Sequence, residues 1–194
     1  MILAGGQARR MGGGDKGLRA VAGQSLLGRV IDRLAPQAAP LAINANGDPA
    51  RFAGFGLPVL ADSVAGFPGP LAGVLAGLDW AAGLGAGAIV TAAADTPFFP
   101  TDLVARLATA AGPSGLALAA VDEGGRVRPQ PTFGLWPVAL RDDLRAALAG
   151  GLRKVVLWTG AHGAGLAVWP AAGAPFFNVN TPEDLALAER MAAP

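Results

Sequence analysis

Cysteine is absent from this chain of 194 residues, and histidine occurs once, at His162. Without cysteine the chain forms no disulfide, has no thiolate nucleophile and builds no thiolate metal site, and this absence alone leaves the cellular compartment open. His162 stands in a glycine-rich segment, where we expect a surface residue that takes no part in catalysis. Chemistry must therefore come from other side chains and from the backbone.

Charged residues are also scarce: they make up 15% of the chain, and the net charge is +1. Because no large basic face is available, we expect no nucleic-acid partner. The apolar runs are far shorter than the ~20 residues of a membrane span. The N-terminus also lacks the basic segment followed by an apolar one that would indicate secretion. We therefore expect a cytoplasmic protein without a membrane partner.

Strands and helices alternate through the first half of the chain, which predicts a parallel sheet with helices on both faces. In the second half, the apolar runs 116–121 and 131–136 flank the turn 122–125, and we predict an antiparallel strand pair there. Residues 1–3 are short for a buried parallel strand, so this strand is either truncated or begins upstream of Met1. The length and the lack of a repeat or linker predict one domain over residues 1–194.

Capping residues mark several helix starts. Ser25 precedes one apolar helical stripe, Thr101 precedes another, and Thr181 opens a capping box with proline at the first helical position. Further helices are predicted over about 71–84, 138–148 and 153–158. The remaining strands are predicted at 41–43, 58–61 and 88–94, with a late edge strand at 166–169.

Glycines and cations concentrate in residues 3–17, which contain six glycines, two arginines and one lysine. Glycine has no Cβ, so successive backbone N–H groups can form a concave nest around an anion. A helix that follows such a loop adds a favourable dipole. We therefore predict a phosphate-binding loop, in which Lys16 and Arg10 neutralise the bound charge and Asp15 orients Lys16 or accepts from the loop backbone.

Two other glycine-rich loops fit less well. A Walker loop needs serine or threonine after its lysine, whereas Gly17 follows Lys16. A dinucleotide fingerprint can be placed on Gly12, Gly14 and Gly17, but it needs a carboxylate some 20 residues later. The second predicted strand ends in asparagines instead.

Asp62 and Asp95 each follow an apolar run that we predict to be a parallel strand. Ligands of open α/β sheets bind outside the carboxyl ends of the strands, where the glycine loop also lies. Carboxylates there suit Mg²⁺, which takes its remaining ligands from phosphate and water. Asp95 follows the most buried strand and is the stronger candidate. For Asp62 the alternative, a carboxylate that only caps the next turn, stays equally open.

The loop resembles the nucleotidyltransferase motif Leu-Ala-Gly-Gly followed by Arg-Met-Gly and Lys. Residues 10–13 followed by 15–17 resemble the molybdenum cofactor guanylyltransferase family more closely than the cytidylyltransferases, which usually carry Leu-Ala-Ala-Gly and Pro-Lys. Residues 69–73 resemble the family segment that lies against guanine, although alone they would only indicate a helix start. Residues 178–184 are the third segment that resembles the family. A helix start accounts for residues 181–184 but does not explain the asparagines at positions 178 and 180.

The resemblance implies an α/β, Rossmann-like, three-layer nucleotidyltransferase fold with a mostly parallel sheet. It also implies transfer of GMP from GTP to the terminal phosphate of molybdopterin, with Mg²⁺ bound by Asp95. The implied catalytic residues are Lys16, Arg10 and Asp95, and the implied pterin-binding residues are Asn178 and Asn180. The implied nucleotide-binding residues are Leu3, Ala4, Gly5, Gly6, Gly12, Gly13, Lys16, Asn44, Asp62, Gly69, Pro70 and Asp95.

Other functions stay open on the sequence. A molybdopterin cytidylyltransferase, or another Mg²⁺-dependent nucleotidyltransferase, shares this loop and fold. A non-catalytic nucleotide-binding module and a hydride-transfer enzyme are alternatives from other classes. The resemblance further implies transient contacts with molybdenum-insertion proteins and molybdoenzyme chaperones.

Overall fold

The computed structural model describes residues 1–5, 14–64 and 69–193. Within these residues, the strands are β1 (Ile2–Leu3), β2 (Ala20–Val21), β3 (Gln24–Ser25), β4 (Ile43–Asn44), β5 (Val59–Leu60), β6 (Ala88–Ala93), β7 (Ala117–Asp122), β8 (Val127–Pro137) and β9 (Gly165–Pro170). The α-helices are α1 (Leu26–Leu34), α2 (Pro70–Gly83), α3 (Leu103–Ala110), α4 (Arg141–Ala149), α5 (Val155–Ala161) and α6 (Pro182–Ala192). Short 3₁₀ turns cover Lys16–Leu18, Pro49–Phe55 and Val138–Leu140.

Seven strands of the described residues form one sheet in the order β5-β4-β1-β6-β8-β7-β9. The neighbours β5, β4, β1 and β6 are parallel, and so are β7 and β9. Only β8 runs the other way, antiparallel to both β6 and β7. The predicted mostly parallel sheet with an antiparallel pair is confirmed, and β9 lies at the edge as predicted.

Helices cover both faces of this sheet. Apolar residues of α1 and α3 pack on one face, in a cluster that includes Ile2, Ile43 and Ala92. Helices α2, α4 and α5 pack on the other face, against Ile89 and Trp136 among others. Alternate strand residues point to opposite faces, so both faces of the central strands are buried. This is the three-layer arrangement that the resemblance implied.

The two-residue strand β1 lies in the middle of the sheet. Ile2 is paired with Ile43 of β4 on one side and with Ala92 of β6 on the other. Backbone hydrogen bonds extend this pairing to the end of the strand, because Ala4 N donates to Asn44 O and Ala94 N donates to Leu3 O. Neighbours on both sides therefore hold a strand that is short by itself.

One predicted helix cap is wrong. Ser25 accepts a hydrogen bond from Gly28 N, and Thr181 and Asp184 form the predicted capping box. Helix α3, however, begins at Leu103, so Asp102 rather than Thr101 occupies the N-cap position. The Asp102 carboxylate accepts from Trp169 Nε1 at 3.0 Å. The side chain at the N-cap position thus makes a tertiary contact to β9 and no capping hydrogen bond to the helix backbone.

Some strand and helix boundaries in the second half of the chain differ from the predicted ones. Strand β8 begins at Val127, four residues before the predicted start, because it stays paired with β7 as far as Asp122. The helix predicted over 138–148 is divided into a 3₁₀ turn and α4. Among the described residues, no helix combines the length and the hydropathy that crossing a bilayer requires.

Candidate active site

The strand order reverses beside β1. From β1 the chain passes through α1 to β4 and β5 on one side, and then through α2 to β6 on the other side. At such a reversal the loops after neighbouring strands separate and leave a crevice at their carboxyl ends. The crevice of this sheet therefore lies outside the ends of β1 and β6.

Lys16 and Asp95 meet in this crevice. Lys16 Nζ lies 2.5 Å from Asp95 Oδ2 and also donates to Asn180 Oδ1. Lys16 is only 8% exposed, and lysine is rarely buried without a partner of opposite charge. Three segments that are distant in sequence thus converge on one ammonium group.

Gly17 allows Lys16 to come this close to the end of β6. A Cβ at Gly17 would lie 3.1 Å from the Ala94 Cβ, which is tighter than an ordinary contact. A side chain at this position would require the turn or the end of β6 to give by a few tenths of an ångström. Glycine thus allows the turn to pack tightly against the strand end.

Thr96 connects Asp95 with the segment before α6. Thr96 is fully buried; its hydroxyl lies 3.1 Å from Asp95 Oδ1 and also contacts Asn178 Oδ1. Val179 N donates to the Asp95 backbone oxygen at 2.9 Å, which fixes this segment to the end of β6. Since Val179 is buried, Asn178 and Asn180 on either side of it turn outward to the crevice. The alternation explains why two asparagines occur at this spacing.

A second polar cluster lies at the ends of β4 and β5. Asn44 Nδ2 donates to Asp62 Oδ1 at 3.0 Å and to Leu60 O at 3.1 Å. Asn46 and Asp62 exchange two hydrogen bonds, from Asn46 Nδ2 to Asp62 Oδ2 at 2.8 Å and from Asp62 N to Asn46 Oδ1 at 2.9 Å. Both Asp62 oxygens are therefore held by amide groups.

The structure separates Asp62 from Asp95. Each lies two residues beyond its strand, but β4 and β1 stand between β5 and β6 in the sheet. Three strand spacings correspond to about 14 Å, too far for both carboxylates to bind one ion. The idea that these two aspartates form one Mg²⁺ site is therefore wrong, because sheet order differs from chain order. Asp95 is the carboxylate that lies beside Lys16.

The donors around Asp95 fit a magnesium ion that arrives with its substrate. Within residues 1–5, 14–64 and 69–193, no group of three or more His, Cys, Asp or Glu side chains converges on one point. Around Asp95 lie hard oxygen atoms, the hydroxyl of Thr96 and the amide oxygens of Asn178 and Asn180. Mg²⁺ commonly uses one or two carboxylates and completes its shell with phosphate oxygens and water. An ion on Asp95 would share that carboxylate with Lys16.

The remaining predicted residues fall on both sides of the crevice or outside the described chain. Leu3 and Ala4 end the central strand, and Gly5 is exposed just beyond it. Gly69 has φ +142°, a value that favours glycine, and Pro70 opens α2. Four predicted residues lie outside the described residues, namely Gly6, Arg10, Gly12 and Gly13.

Three residues at the site had little or no sequence signal. Arg51 Nε lies 3.2 Å from Asp15 Oδ2, and Arg51 Nη2 donates to Asn46 O at 2.6 Å, so this arginine links the two sides of the crevice. Asp15 pairs with Arg51 rather than with Lys16. Thr96 and Asn46 follow strand ends, as Asp95 does, and that position was the only signal for either.

His162 is not a simple surface residue. Its Nε2 lies 3.0 Å from Asp143 Oδ1, and its ring centroid lies 4.3 Å from that of Trp158. Trp158 belongs to the core beneath α5, so the histidine closes the edge of that core. Its contacts are with α4 and α5, away from the residues around Lys16.

The sequence matches known proteins over almost its whole length. The family model of the MobA-like NTP transferase domain matches residues 1–163. A molybdenum cofactor guanylyltransferase of Rhodopseudomonas palustris (strain BisB5) is 57% identical, over 99% of this chain and 92% of the relative. The chain belongs to the molybdenum cofactor guanylyltransferase family. This membership confirms the family resemblance and the enzyme class predicted from the sequence.

A further relative and two solved structures are also similar to this chain. A molybdenum cofactor guanylyltransferase of Bradyrhizobium sp. (strain ORS 278) is 55% identical, over 100% of this chain and 92% of the relative. Molybdopterin-guanine dinucleotide biosynthesis protein A from Archaeoglobus fulgidus has a similar fold, with a TM-score of 0.72 and 23% identity over 98% of this chain and 96% of that chain. The 2-C-methyl-D-erythritol 4-phosphate cytidylyltransferase from Thermus thermophilus gives a TM-score of 0.70 and 25% identity, over 98% of this chain and 97% of that one.

Proposed function

We propose that this chain transfers GMP from GTP to the terminal phosphate of molybdopterin and releases pyrophosphate. The observation that carries the proposal is the convergence of Lys16, Asp95 and Asn180 at the reversal of strand order. This crevice offers a cation for phosphate, a carboxylate for a divalent ion and an amide for a second substrate. The names of the relatives support guanine as the base.

The chemistry needs no general base. A phosphate monoester has a second pKa of about 6, so the terminal phosphate of molybdopterin is already an anion at neutral pH. One of its oxygens attacks the α-phosphorus of GTP, the bond to the β-phosphate oxygen breaks, and pyrophosphate leaves with the electron pair. Catalysis then consists of positioning the two substrates and neutralising their charge. A site built from lysine, carboxylate and amide groups is suited to both tasks.

The residues divide by substrate. Lys16 binds triphosphate oxygens, together with the backbone of Leu3, Ala4 and Gly5. Gly6, Arg10, Gly12 and Gly13 of the same loop are proposed to share this task. Asn178 and Asn180 hold the phosphate end of the pterin, since both turn outward beside Asp95.

The base and ribose occupy the other side of the crevice. Asn44 and Asp62 form a polar cluster there, and Gly69 and Pro70 open the helix above it. Because Asn44 and Asp62 lie about two and three strand spacings from Asp95, roughly 10 and 14 Å, they contact the nucleoside rather than the phosphates that react. A nucleotide lying along the strand ends would span that distance.

Asp95 is the proposed magnesium ligand. A bound Mg²⁺ ion would neutralise the triphosphate and polarise the phosphorus that is attacked. Asp95 accepts from Lys16 and lies next to the Thr96 hydroxyl, so its carboxylate is oriented by the protein. An ammonium group has three N–H donors, so Lys16 can keep its contact with Asp95 and also donate to a phosphate oxygen.

The test is turnover with a nucleotide panel. The purified chain is given molybdopterin, MgCl₂ and one of GTP, CTP, ATP or UTP, and both pyrophosphate and the dinucleotide product are measured. We expect product with GTP and little with the others, because buried hydrogen bonds to a base can discriminate by as much as ~10⁴. Preference for CTP would make the chain a cytidylyltransferase. GTP binding without turnover would make it a binding module.

The cellular setting stays a prediction. We propose a cytoplasmic enzyme that contacts molybdenum-insertion proteins and molybdoenzyme chaperones transiently. Co-purification of the tagged chain with such proteins, after brief cross-linking, tests the contacts.

A further inference from the structure

The Arg51 guanidinium is held against the loop that follows β4. Arg51 lies in the 3₁₀ turn Pro49–Phe55, and its Nη2 donates to Asn46 O at 2.6 Å. The guanidinium carbon also lies 5.0 Å from the centre of the Phe52 ring, which is fully buried. A Cβ at Gly47, whose φ is +87°, would lie 3.7 Å from Arg51 Nη1, so the guanidinium rests over this residue. Contacts with its own segment therefore fix the direction in which Arg51 points.

Asp15 is the partner of Arg51 on the other side of the crevice. It occupies the N-cap position of the 3₁₀ turn Lys16–Leu18, but in the part of the chain that the structure describes its carboxylate makes no capping hydrogen bond to that turn. Instead, Asp15 Oδ2 lies 3.2 Å from Arg51 Nε, and the side chains of Asp15 and Arg51 are 17% and 33% exposed. The carboxylate next to Lys16 is thus directed to an arginine from a distant segment.

The contacts continue from Arg51 to Asp62. The backbone oxygen of Asn46 accepts from Arg51, and the Asn46 side chain exchanges hydrogen bonds of 2.8 and 2.9 Å with Asp62. At the other end, Asp15 directly precedes Lys16, whose ammonium group lies 2.5 Å from Asp95 Oδ2. One arginine therefore connects the polar cluster at the ends of β4 and β5 with the turn that carries Lys16.

Two simpler roles for Arg51 fit this geometry less well. A solvated surface ion pair contributes little to stability and does not require two fixed acceptors around one guanidinium. An arginine that binds phosphate directly uses two parallel N–H groups on the phosphate oxygens. Here Nε and Nη2, which form one such edge, already face Asp15 and Asn46. The arrangement is that of a link between two protein segments.

We propose that the Arg51–Asp15 ion pair fixes the spacing between the phosphate side and the nucleoside side of the crevice, so that one GTP molecule can bind to both. The proposal rests on the proposed function, in which Lys16 binds the triphosphate and Asp62 contacts the nucleoside. Arg51 is then a positioning residue, which acts through Asp15 on one side and through Asn46 on the other.

Loss of the link should weaken binding of the whole nucleotide but not of its parts. A ligand that binds two parts of a protein at once gains affinity only when their spacing fits it. A charge-assisted hydrogen bond typically changes an equilibrium by about 10- to 100-fold, and the partial exposure of this pair places the effect at the lower end. For Arg51→Met we therefore expect the GTP dissociation constant and KM to rise ~10-fold, with kcat within ~3-fold of the unaltered protein.

The experiment measures GTP binding by calorimetry and the binding of tripolyphosphate and of guanosine by displacement of a fluorescent GTP analogue. Each part alone should bind to Arg51→Met within ~2-fold of the unaltered protein. A loss for tripolyphosphate equal to that for GTP would show a direct phosphate contact and would overturn the proposal. An equal loss for guanosine would show that Arg51 only shapes the nucleoside side, and would also overturn it.

Arg106→Met is the matched control. Arg106 likewise donates to a backbone oxygen, that of Val168, lies 3.8 Å from an aspartate, Asp102, and stands over an aromatic ring, that of Trp169. These contacts join α3 to β9, which is three strand positions beyond β6. The control should bind GTP within ~2-fold of the unaltered protein. GTP binding by Arg51→Met that equals the control would refute the proposal, whereas an unaltered protein that binds no GTP would refute the proposed function itself.

A double-variant comparison tests the route through Asp15 and does not depend on Arg51→Met alone. Asp15→Asn removes the charge on the other side of the pair and should also raise the GTP dissociation constant ~10-fold. Because either change breaks the same link, Asp15→Asn/Arg51→Met should bind GTP within ~3-fold of each single variant. Losses that multiply to ~100-fold in the double variant would show that the two residues act independently, and would overturn the proposal. Urea unfolding of all variants verifies that each is folded under the conditions of the binding assay.

Discussion

The variant Asp95→Asn separates the two tasks assigned to Asp95, which are accepting a hydrogen bond from Lys16 and binding Mg²⁺. In the unaltered protein, Lys16 Nζ lies 2.5 Å from Asp95 Oδ2. Asp95→Asn keeps the shape of the side chain and an oxygen that can accept from this ammonium group. It removes the charge that would bind Mg²⁺. Losing one well-placed electrostatic group in such a site costs about 3–4 kcal/mol in the barrier, a ~10²–10³-fold decrease in kcat.

The cost in stability should be much smaller. Removing one partner of a fully buried ion pair costs about 3–5 kcal/mol. Here the Asp95 side chain is 25% exposed, and the new amide still accepts one hydrogen bond from Lys16, so solvent and the amide offset most of that cost. We expect the free energy of unfolding to fall by only about 1–2 kcal/mol. The variant should therefore be folded and nearly inactive.

The assay is pyrophosphate release with saturating GTP, molybdopterin and Mg²⁺, alongside urea unfolding of the same samples. Asp142→Asn is the matched control, because the Asp142 side chain is 77% exposed and its partner Arg141 lies on α4, outside the crevice. It should retain full turnover. Near-normal turnover of Asp95→Asn at saturating Mg²⁺ would refute the metal assignment.

Three further predictions concern the same crevice. Lys16→Met should raise the GTP dissociation constant, measured by calorimetry, ~10- to 100-fold because a charge-assisted contact is lost. The control Lys154→Met changes an exposed lysine and should leave that constant unaltered. Equal GTP binding by the two variants would contradict the phosphate role of Lys16. Thr96→Val removes a fully buried hydroxyl and should lower the free energy of unfolding by about 1–2 kcal/mol and turnover several-fold. The control Thr109→Val, on the surface of α3, should change neither. A fully active Thr96→Val would mean that the Thr96 hydroxyl is not needed to orient Asp95. Chelation by EDTA should abolish turnover, and added Mg²⁺ should restore it; turnover that persists in EDTA would exclude a required divalent ion.

Local signals were sufficient where neighbours in sequence form the contact. The capping box at Thr181 was predicted because its hydrogen bonds span only three residues. Thr101 was predicted as a cap, but α3 begins at Leu103, and the Asp102 carboxylate at its N-cap position accepts from Trp169, 67 residues away, rather than from the helix backbone. The start of β8 was placed late for a similar reason, since its pairing with β7 is decided by the neighbouring strand.

The candidate site shows the same division. Lys16 and Asp95 were chosen because one lies in a glycine loop and the other follows an apolar strand, and both are local patterns. The position of Asp62 depended on the order of strands in the sheet, which the chain order does not reveal. Arg51 gave no signal, because an arginine in a polar segment is usually a solvated one.

The sequence by itself determined the family, the alternation of strands and helices, and the kinds of side chain available for chemistry, because motifs and periodicity are properties of neighbouring residues. Only the tertiary structure decided which of those side chains meet. It placed Lys16 against Asp95 and Asn180 and put Asp62 with Asn44 and Asn46. The physical reason is that these contacts join strand ends whose order across the sheet is fixed by packing of the whole chain.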